Sequence, residues 1–368
     1  MKKVISVVGA RPNFMKVAPI HRAFDKYKHI EHFIVHTGQH YDKNMSDAFF
    51  QDLEMPHPKH FLNIRSGSHA EQTAKVMVEF EKVLIEENPD LIIVVGDVNS
   101  TVACSLTAVK LHIPVVHVES GLRSGDRKMP EEINRIVTDS ICNYAFVTEK
   151  SGKENLIKEN YPQDRIFFAG NTMIDSQHFA LPKLEQSDII EKLGLNRKTY
   201  VLSTVHRPSN VDNKKQLSDL LDVFEQISKK RTVVIPMHPR TKNNLEKFGL
   251  QDKLDSIENL VVTGPMGYLD FLNLMKNCDF VLTDSGGIQE ETTALGIDCI
   301  TIRTTTERPS TIEEGTNVLV YPEKEKIETA VEKYLNGERK QGSVPYLWDG
   351  KAAERITEII SKILAETE

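Results

Sequence analysis

The sequence is short of cysteine, of basic charge and of long apolar runs, and each scarcity excludes a class of protein. Four cysteines are present, Cys104, Cys142, Cys278 and Cys299. They are widely separated and form no CxxC motif, so neither a disulfide framework nor a thiolate metal cluster is indicated. They read as buried reduced thiols, which favours the cytoplasm. No stretch approaches the roughly 20 consecutive apolar residues that a bilayer-spanning helix needs. The opening run Met1 to Val8 is broken by Gly9 and Arg11, too early for a secretory signal. A formal net charge of -7 and a pI near 6.0 leave no overall field for nucleic acid or anionic membrane. Any anion must therefore be held by local residues. The 13 histidines are scattered. Those nearest to ligand spacing, His36 and His40, lie across a strand end rather than on one helix face, so no metal site is read.

What is present is a 368-residue chain in which short Val/Ile-rich runs alternate with longer helical patterns throughout. That is the sequence form of an α/β protein with parallel sheets covered on both faces. One series of strands runs from Val4–Val8 to Ile166–Ala169 and a second from Tyr200–Val205 to Val318–Val320, predicting two doubly wound, Rossmann-like domains. The expected boundary is Gly170-Asn171, giving domains 1–170 and 171–350. A terminal helix from Lys351 to Leu364 is expected to fold back, so that 351–368 completes the first domain.

In such folds ligands bind beyond the carboxyl ends of the strands. Asp279 to Glu291 contains the clearest case, where a buried strand runs through Asp284-Ser-Gly-Gly287 into a helix start. Free backbone N–H groups and the helix dipole favour phosphate there, Ser285 adds a hydroxyl, and Gly286 and Gly287 leave room for approach. Glu290 and Glu291 follow closely enough to accept ribose hydroxyls. Arg11, Lys16 and Arg308 sit just after strands and suit phosphate oxygens, so a diphosphate needs no metal ion. A second constellation is Asp97, Glu119 and Glu131, with Arg135 one helical turn beyond Glu131 and able to orient it. Carboxylates converging on one cleft raise one another's pKa, as general acid/base chemistry requires. Asp97 also suits a helix cap, and Glu131 a favourable helix-start charge. His206 and His238, both at strand ends, suit phosphate binding, proton transfer or a structural role.

The ordered set Gly9-Ala-Arg-Pro12, Thr37-Gly-Gln-His40, Gly96-Asp-Val-Asn-Ser-Thr101, His117-Val-Glu-Ser-Gly-Leu-Arg123, Met129-Pro-Glu-Glu-Ile-Asn-Arg135, Thr204-Val-His-Arg207, His238-Pro-Arg240, Asp284 to Glu291 and Thr306-Glu-Arg-Pro309 resembles the non-hydrolysing UDP-N-acetylglucosamine 2-epimerases. The resemblance extends from about residue 4 to the terminal helix. It implies two glycosyltransferase-B-like domains facing a cleft that holds the sugar, with UDP held mainly by the second. It also implies interconversion of UDP-GlcNAc and UDP-ManNAc with no redox cofactor or metal. In that chemistry UDP is eliminated to a 2-acetamidoglucal and added back on the other face.

By the same resemblance Arg11, Lys16, His206, Ser285, Gly286, Gly287 and Arg308 surround the diphosphate, Glu291 the ribose, and Met266 and Phe271 the uracil. Asp97, Glu119 and Glu131, supported by Arg135, match the catalytic carboxylates, and His206 and His238 complete the candidate site. Gln39 and His40 match residues with which many bacterial members bind an activating second substrate molecule. The downstream Asn63 to Gln72 segment departs from the matching Arg-Gln pair, so the resemblance stops short of implying allostery. Its Ser-Gly-Ser-His run is similar to epimerases of C3-modified UDP-sugars. A homodimer and a role in surface-polysaccharide precursor synthesis are further implications. A hydrolysing epimerase, a glycosyltransferase of the same fold and an idle nucleotide-sugar sensor are the competing readings.

Overall fold

Central strands of a parallel sheet are covered on both faces and so read as unbroken apolar runs. The structure, a computed structural model, describes residues 1–38, 53–64 and 67–366. Its first unit has β1 (Lys2–Val8), β2 (Ile30–His36), β3 (His60–Phe61), β4 (Leu91–Val95), β5 (Val115–Val118), β6 (Tyr144–Val147) and β7 (Ile166–Phe168). They form a parallel sheet in the order β3-β2-β1-β4-β5-β6-β7. The register runs Val4↔Leu91 to Ser6↔Ile93 on one side of β1 and Lys2↔Ile30 to Val8↔His36 on the other. All five residues of β4, Leu-Ile-Ile-Val-Val, are buried. The two-residue edge strand β3 was not expected.

The strands are joined by α1 (Arg11–Phe24), α2 (His69–Glu87), α3 (Asn99–Lys110), α4 (Pro130–Ile141), α5 (Lys150–Lys158) and α6 (Thr172–Ala180). Ser68 caps α2 in a reciprocal capping box with Glu71. Chain order reverses between β1 and β4. This switch point opens a crevice at their carboxyl ends, and Asn13 spans it, accepting N–H bonds from Gly9 and Ala10 and donating to the Val95 carbonyl at 3.1 Å.

The second unit repeats the plan. It has β8 (Tyr200–Thr204), β9 (Thr232–Pro236), β10 (Leu260–Thr263), β11 (Val281–Thr283), β12 (Cys299–Ile302) and β13 (Asn317–Val320), in the order β10-β9-β8-β11-β12-β13. Its helices are α7 (Ile189–Lys192), α8 (Pro208–Val211), α9 (Lys214–Ser228), α10 (Pro239–Phe248), α11 (Gln251–Asp255), α12 (Tyr268–Asn277), α13 (Gly286–Leu295), α14 (Ser310–Glu313) and α15 (Lys324–Leu335). One face of the sheet packs Val201, Val233 and Leu282 on Leu221, Phe224 and Val331, and the other packs Leu202, Val234 and Val281 on Leu274, Met275 and Ile288. The switch point lies between β8 and β11.

The units comprise Met1–Ala180 with Tyr346–Glu368, and Leu181–Pro345. The division comes later than the Gly170-Asn171 boundary because α6 packs on α1, where Ser176 Oγ donates to the Met15 carbonyl at 2.5 Å. The terminal helix α16 (Ala352–Glu366) also packs on α1. Trp348, buried to 2%, anchors its approach by donating from Nε1 to the Thr148 carbonyl at 2.9 Å. Gly170, at φ +91°, lets this segment cross, since a Cβ there would lie 2.2 Å from the Leu347 oxygen. Among the described residues no helix is long and apolar enough to cross a membrane. All four cysteines are buried and free.

Candidate active site

At the first switch point the chain leaves β4 through Gly96, whose φ of +65° and 2.9 Å virtual Cβ distance to Lys16 Nζ explain why glycine stands there. The next residue, Asp97, accepts from Arg135 Nε at 3.0 Å. Leaving β5, Glu119 adopts φ 72°, a left-handed conformation costly for a side chain and commonly kept at functional positions. Its carboxylate meets Lys16 Nζ at 2.5 Å, and both residues are buried to about the same degree, 4% exposed. Lys16, expected on the diphosphate, is also the counterion of Glu119.

Pro130 opens α4 and sets Glu131 and Glu132 in its first turn. Arg135 was expected to orient Glu131. It holds Glu132 at 2.5 Å and Asp97 instead, because i, i+3 geometry turns Glu132 toward it. Glu132 was missed in the sequence. Buried to 2%, it also accepts the N–H groups of Ser124 and Gly125, both at 2.9 Å, and fixes the loop before α4. Half-buried Glu131 makes no hydrogen bond or ion pair within the described residues. Asp97, Glu119 and Glu132 are thus each paired with a cation, and Glu131 is unpaired among the described residues.

At the second switch point Ser285 caps α13 without spending its hydroxyl on the helix. Gly286 begins the helix, and a Cβ there would come within 2.7 Å of Glu307 and 2.8 Å of Arg308. The glycine is therefore what lets the arginine lie over the helix start. Arg308 is held by Glu307 and by Glu290, the latter at 3.0 Å, and Glu307 also takes Arg303 at 2.8 Å. Glu290, read as a ribose acceptor, is committed to Arg308. Glu291 accepts from the Tyr268 hydroxyl at 2.8 Å. Met266 and Phe271 flank the core around Leu274 and Ile288, half buried.

Asp284, fully buried, was read only as the start of the Ser-Gly-Gly run, with no role of its own. It accepts the N–H groups of His206 and Arg207 at 3.0 and 2.8 Å and the Asn210 amide at 2.9 Å, tying the ends of β8 and β11 together. Its other oxygen lies 3.3 Å from His206 Nδ1. The His206 ring stacks on His238 at 4.8 Å. Burial lowers the His206 pKa, with Asp284 opposing, and burial lowers that of His238, with His206 adding to the effect. His238 Nδ1 accepts the Arg240 N–H at 3.1 Å and caps α10. Arg303 and Asp284 directly follow β12 and β11, and Glu307 lies farther along the loop after β12.

Arg11 is the first residue of α1, with its side chain outside the described residues. Gln39 and His40 also lie outside them, as do Arg65 and Ser66 of the Asn63 to Gln72 segment. Among the described residues no group of three or more His, Cys, Asp or Glu is placed to hold a metal ion.

Residues 22–361 match the family model described as UDP-N-acetylglucosamine 2-epimerase. The chain is 44% identical over 98% of its length to the UDP-N-acetylglucosamine 2-epimerase of Methanocaldococcus jannaschii, covering 99% of that protein. It is 35% identical over 98% of its length to the UDP-2,3-diacetamido-2,3-dideoxy-D-glucuronate 2-epimerase of Pseudomonas aeruginosa, covering 100% of it. The crystal structure of the Methanocaldococcus jannaschii UDP-GlcNAc 2-epimerase in complex with UDP-GlcNAc and UDP superposes with a TM-score of 0.90, at 45% identity, over 98% of this chain and 100% of that one. Two switch-point sites of complementary chemistry, one rich in carboxylates and one built on a helix N-terminus with arginines, occur in a sequence that matches along nearly its whole length: the chain belongs to the UDP-N-acetylglucosamine 2-epimerase family of isomerases.

Proposed function

We propose that the protein interconverts UDP-GlcNAc and UDP-ManNAc by eliminating UDP to 2-acetamidoglucal and adding it back, with neither water nor a redox cofactor consumed. The carboxylates carry this reading: Asp97 and Glu119 are ion-paired at one switch point and Glu131 opens the helix that carries Arg135, in a family named for epimerisation at C2. A glycosyltransferase using the same nucleotide site has no need of several carboxylates around the sugar.

The C2 hydrogen is not adjacent to a carbonyl and becomes acidic only as the C1–O bond breaks and positive charge develops at C1. Stabilising the departing UDP is therefore the first requirement, served by the α13 N-terminus, Ser285, Arg308 and His206 with Arg11. Met266, Phe271 and His238 border the nucleotide, and Glu291, held by Tyr268, meets the ribose. Inversion requires a proton taken from one face of C2 and returned to the other, hence two groups. Asp97, Glu119 and Glu131 are the carboxylates that supply them. Gln39 and His40 match the residues with which related epimerases bind an activating second substrate molecule. A homodimer working in the cytoplasm on precursors of surface polysaccharide completes the proposal.

Incubation with UDP-GlcNAc and no additions, followed by ion-exchange separation, tests it. Equilibrating UDP-GlcNAc and UDP-ManNAc are expected. Free UDP accumulating with N-acetylmannosamine would replace this reading by the hydrolysing one. The Pseudomonas aeruginosa relative favours a second reading, in which the true substrate carries a C3 acetamido group and a C6 carboxylate. A higher kcat/KM on that sugar than on UDP-GlcNAc would select it.

A further inference from the structure

His117, fully buried, presents Nδ1 to Asp139 Oδ1 at 2.6 Å and Nε2 to the Gly96 carbonyl at 2.8 Å. A carbonyl oxygen and an ionised carboxylate only accept hydrogen bonds, so each ring nitrogen is placed to donate one. Asp139 is 1% exposed, and its second oxygen accepts the Gly121 N–H at 2.9 Å and Arg123 Nη1 at 2.7 Å. Burial pushes the Asp139 carboxyl up, but His117 and Arg123 outweigh it and hold it below its ordinary value. Arg123 is itself steadied by Glu159, at 2.6 Å.

These contacts join the two turns that bear the acidic groups. Gly96, whose carbonyl His117 holds and whose N–H donates to Val118 at 3.1 Å, immediately precedes Asp97. Gly121 and Arg123, both held by Asp139, lie two and four residues after the strained Glu119. We propose that His117 and Asp139 are positioning residues for the epimerisation, one buried ion pair setting the placement of the Asp97 and Glu119 turns relative to each other. This rests on the function proposed above. A displacement of about 1 Å at reacting groups costs roughly 100-fold in rate, so the pair should appear in kcat while KM stays unchanged.

The test separates its two bonds. In His117→Gln the amide nitrogen reaches the place of Nε2 and keeps the Gly96 bond; in His117→Asn it reaches the place of Nδ1 and keeps the Asp139 bond. His117→Asn, His117→Gln and Asp139→Asn each break the path between the two turns and are expected to lose roughly 100-fold in kcat, with unchanged KM and cooperative unfolding. Unchanged kcat in either His117 variant, or losses carried by KM, would overturn the proposal. The wild-type ring gives an independent reading. Nitrogen-15 NMR should show both ring nitrogens of His117 carrying a proton that each donates, identified by their loss in whichever His117 variant folds, and a single protonated nitrogen refutes the two-bond geometry. If the wild-type protein leaves UDP-GlcNAc unchanged, the proposed function falls, while the ring spectrum still decides the geometry.

Discussion

Removing one partner of a buried ion pair strands the other without water or a counterion, at a typical cost of about 3–5 kcal/mol. Lys16→Met should take this cation from Glu119, because both are buried and their contact is only 2.5 Å. Denaturant unfolding of the first unit should lose about that much stability, and a loss below about 1 kcal/mol contradicts the pairing. Glu131→Gln removes no ion pair, so its effect belongs to chemistry. The expected result is kcat lower by about 10²- to 10⁴-fold, with the calorimetric affinity for UDP unaltered. Weaker UDP binding with normal kcat would place Glu131 outside the chemistry. Asp97, Glu119 and Glu131 were legible as candidates because each stands just after a strand or opens a helix. The roles of Glu132, Asp139, Asp284 and Glu307 were not, because what defines them is burial against partners brought near by the fold. Asp139 meets His117 from 22 positions away, and Asp284 meets Asn210 from 74.

At the level of elements, the helix starts carry the second site. Gly286→Ala keeps the helix but puts a methyl group within 2.8 Å of Arg308 Nη1, so the guanidinium must move off the α13 N-terminus. UDP affinity measured by calorimetry should fall about 10-fold, or about 1.4 kcal/mol, and an unchanged affinity would remove Arg308 from the nucleotide site. Asp175 of α6 accepts the N–H groups of Ala352 and Ala353 at 3.1 and 2.6 Å and so caps α16 from far along the chain. Asp175→Ala should cost about 0.5–2 kcal/mol and raise hydrogen exchange in α16 before the sheet. Strands and long helices were readable because covered parallel strands are continuous apolar runs and helices repeat every 3.6 residues. The single-turn helices α8 and α14 and the edge strand β3 were not, because so few residues show no period and tertiary contacts decide them. The cap on α16 was likewise invisible, since Asp175 lies inside another helix.

Across the whole molecule, titration and ligand binding report on the two units separately. In the first unit burial pushes His36 down to about 4 and His32 well below its ordinary value, and lowers His21, with Asp25 opposing. Unfolded histidines titrate near ~6.5, so between that pH and about 4 the unfolded chain binds more protons, and these groups make stability fall as pH falls. Asp175, pushed up to about 6 by burial, acts in the opposite sense over the same range and offsets part of the loss. Net stability of the first unit should therefore decline from pH 7 to pH 5, by up to about 1.4 kcal/mol per pH unit for each histidine that stays neutral. A flat profile in urea titrations would contradict the burial of these rings. UDP at 100 times its dissociation constant should stabilise the unit that binds it by about 2.7 kcal/mol. The central claim, reversible elimination, is tested most directly by proton NMR of UDP-GlcNAc incubated with the protein in D2O. The account predicts UDP-ManNAc bearing deuterium at C2, with UDP-GlcNAc exchanging its own C2 proton as equilibrium is reached. UDP-ManNAc that keeps the original proton, or UDP and free N-acetylmannosamine as the only products, would contradict it.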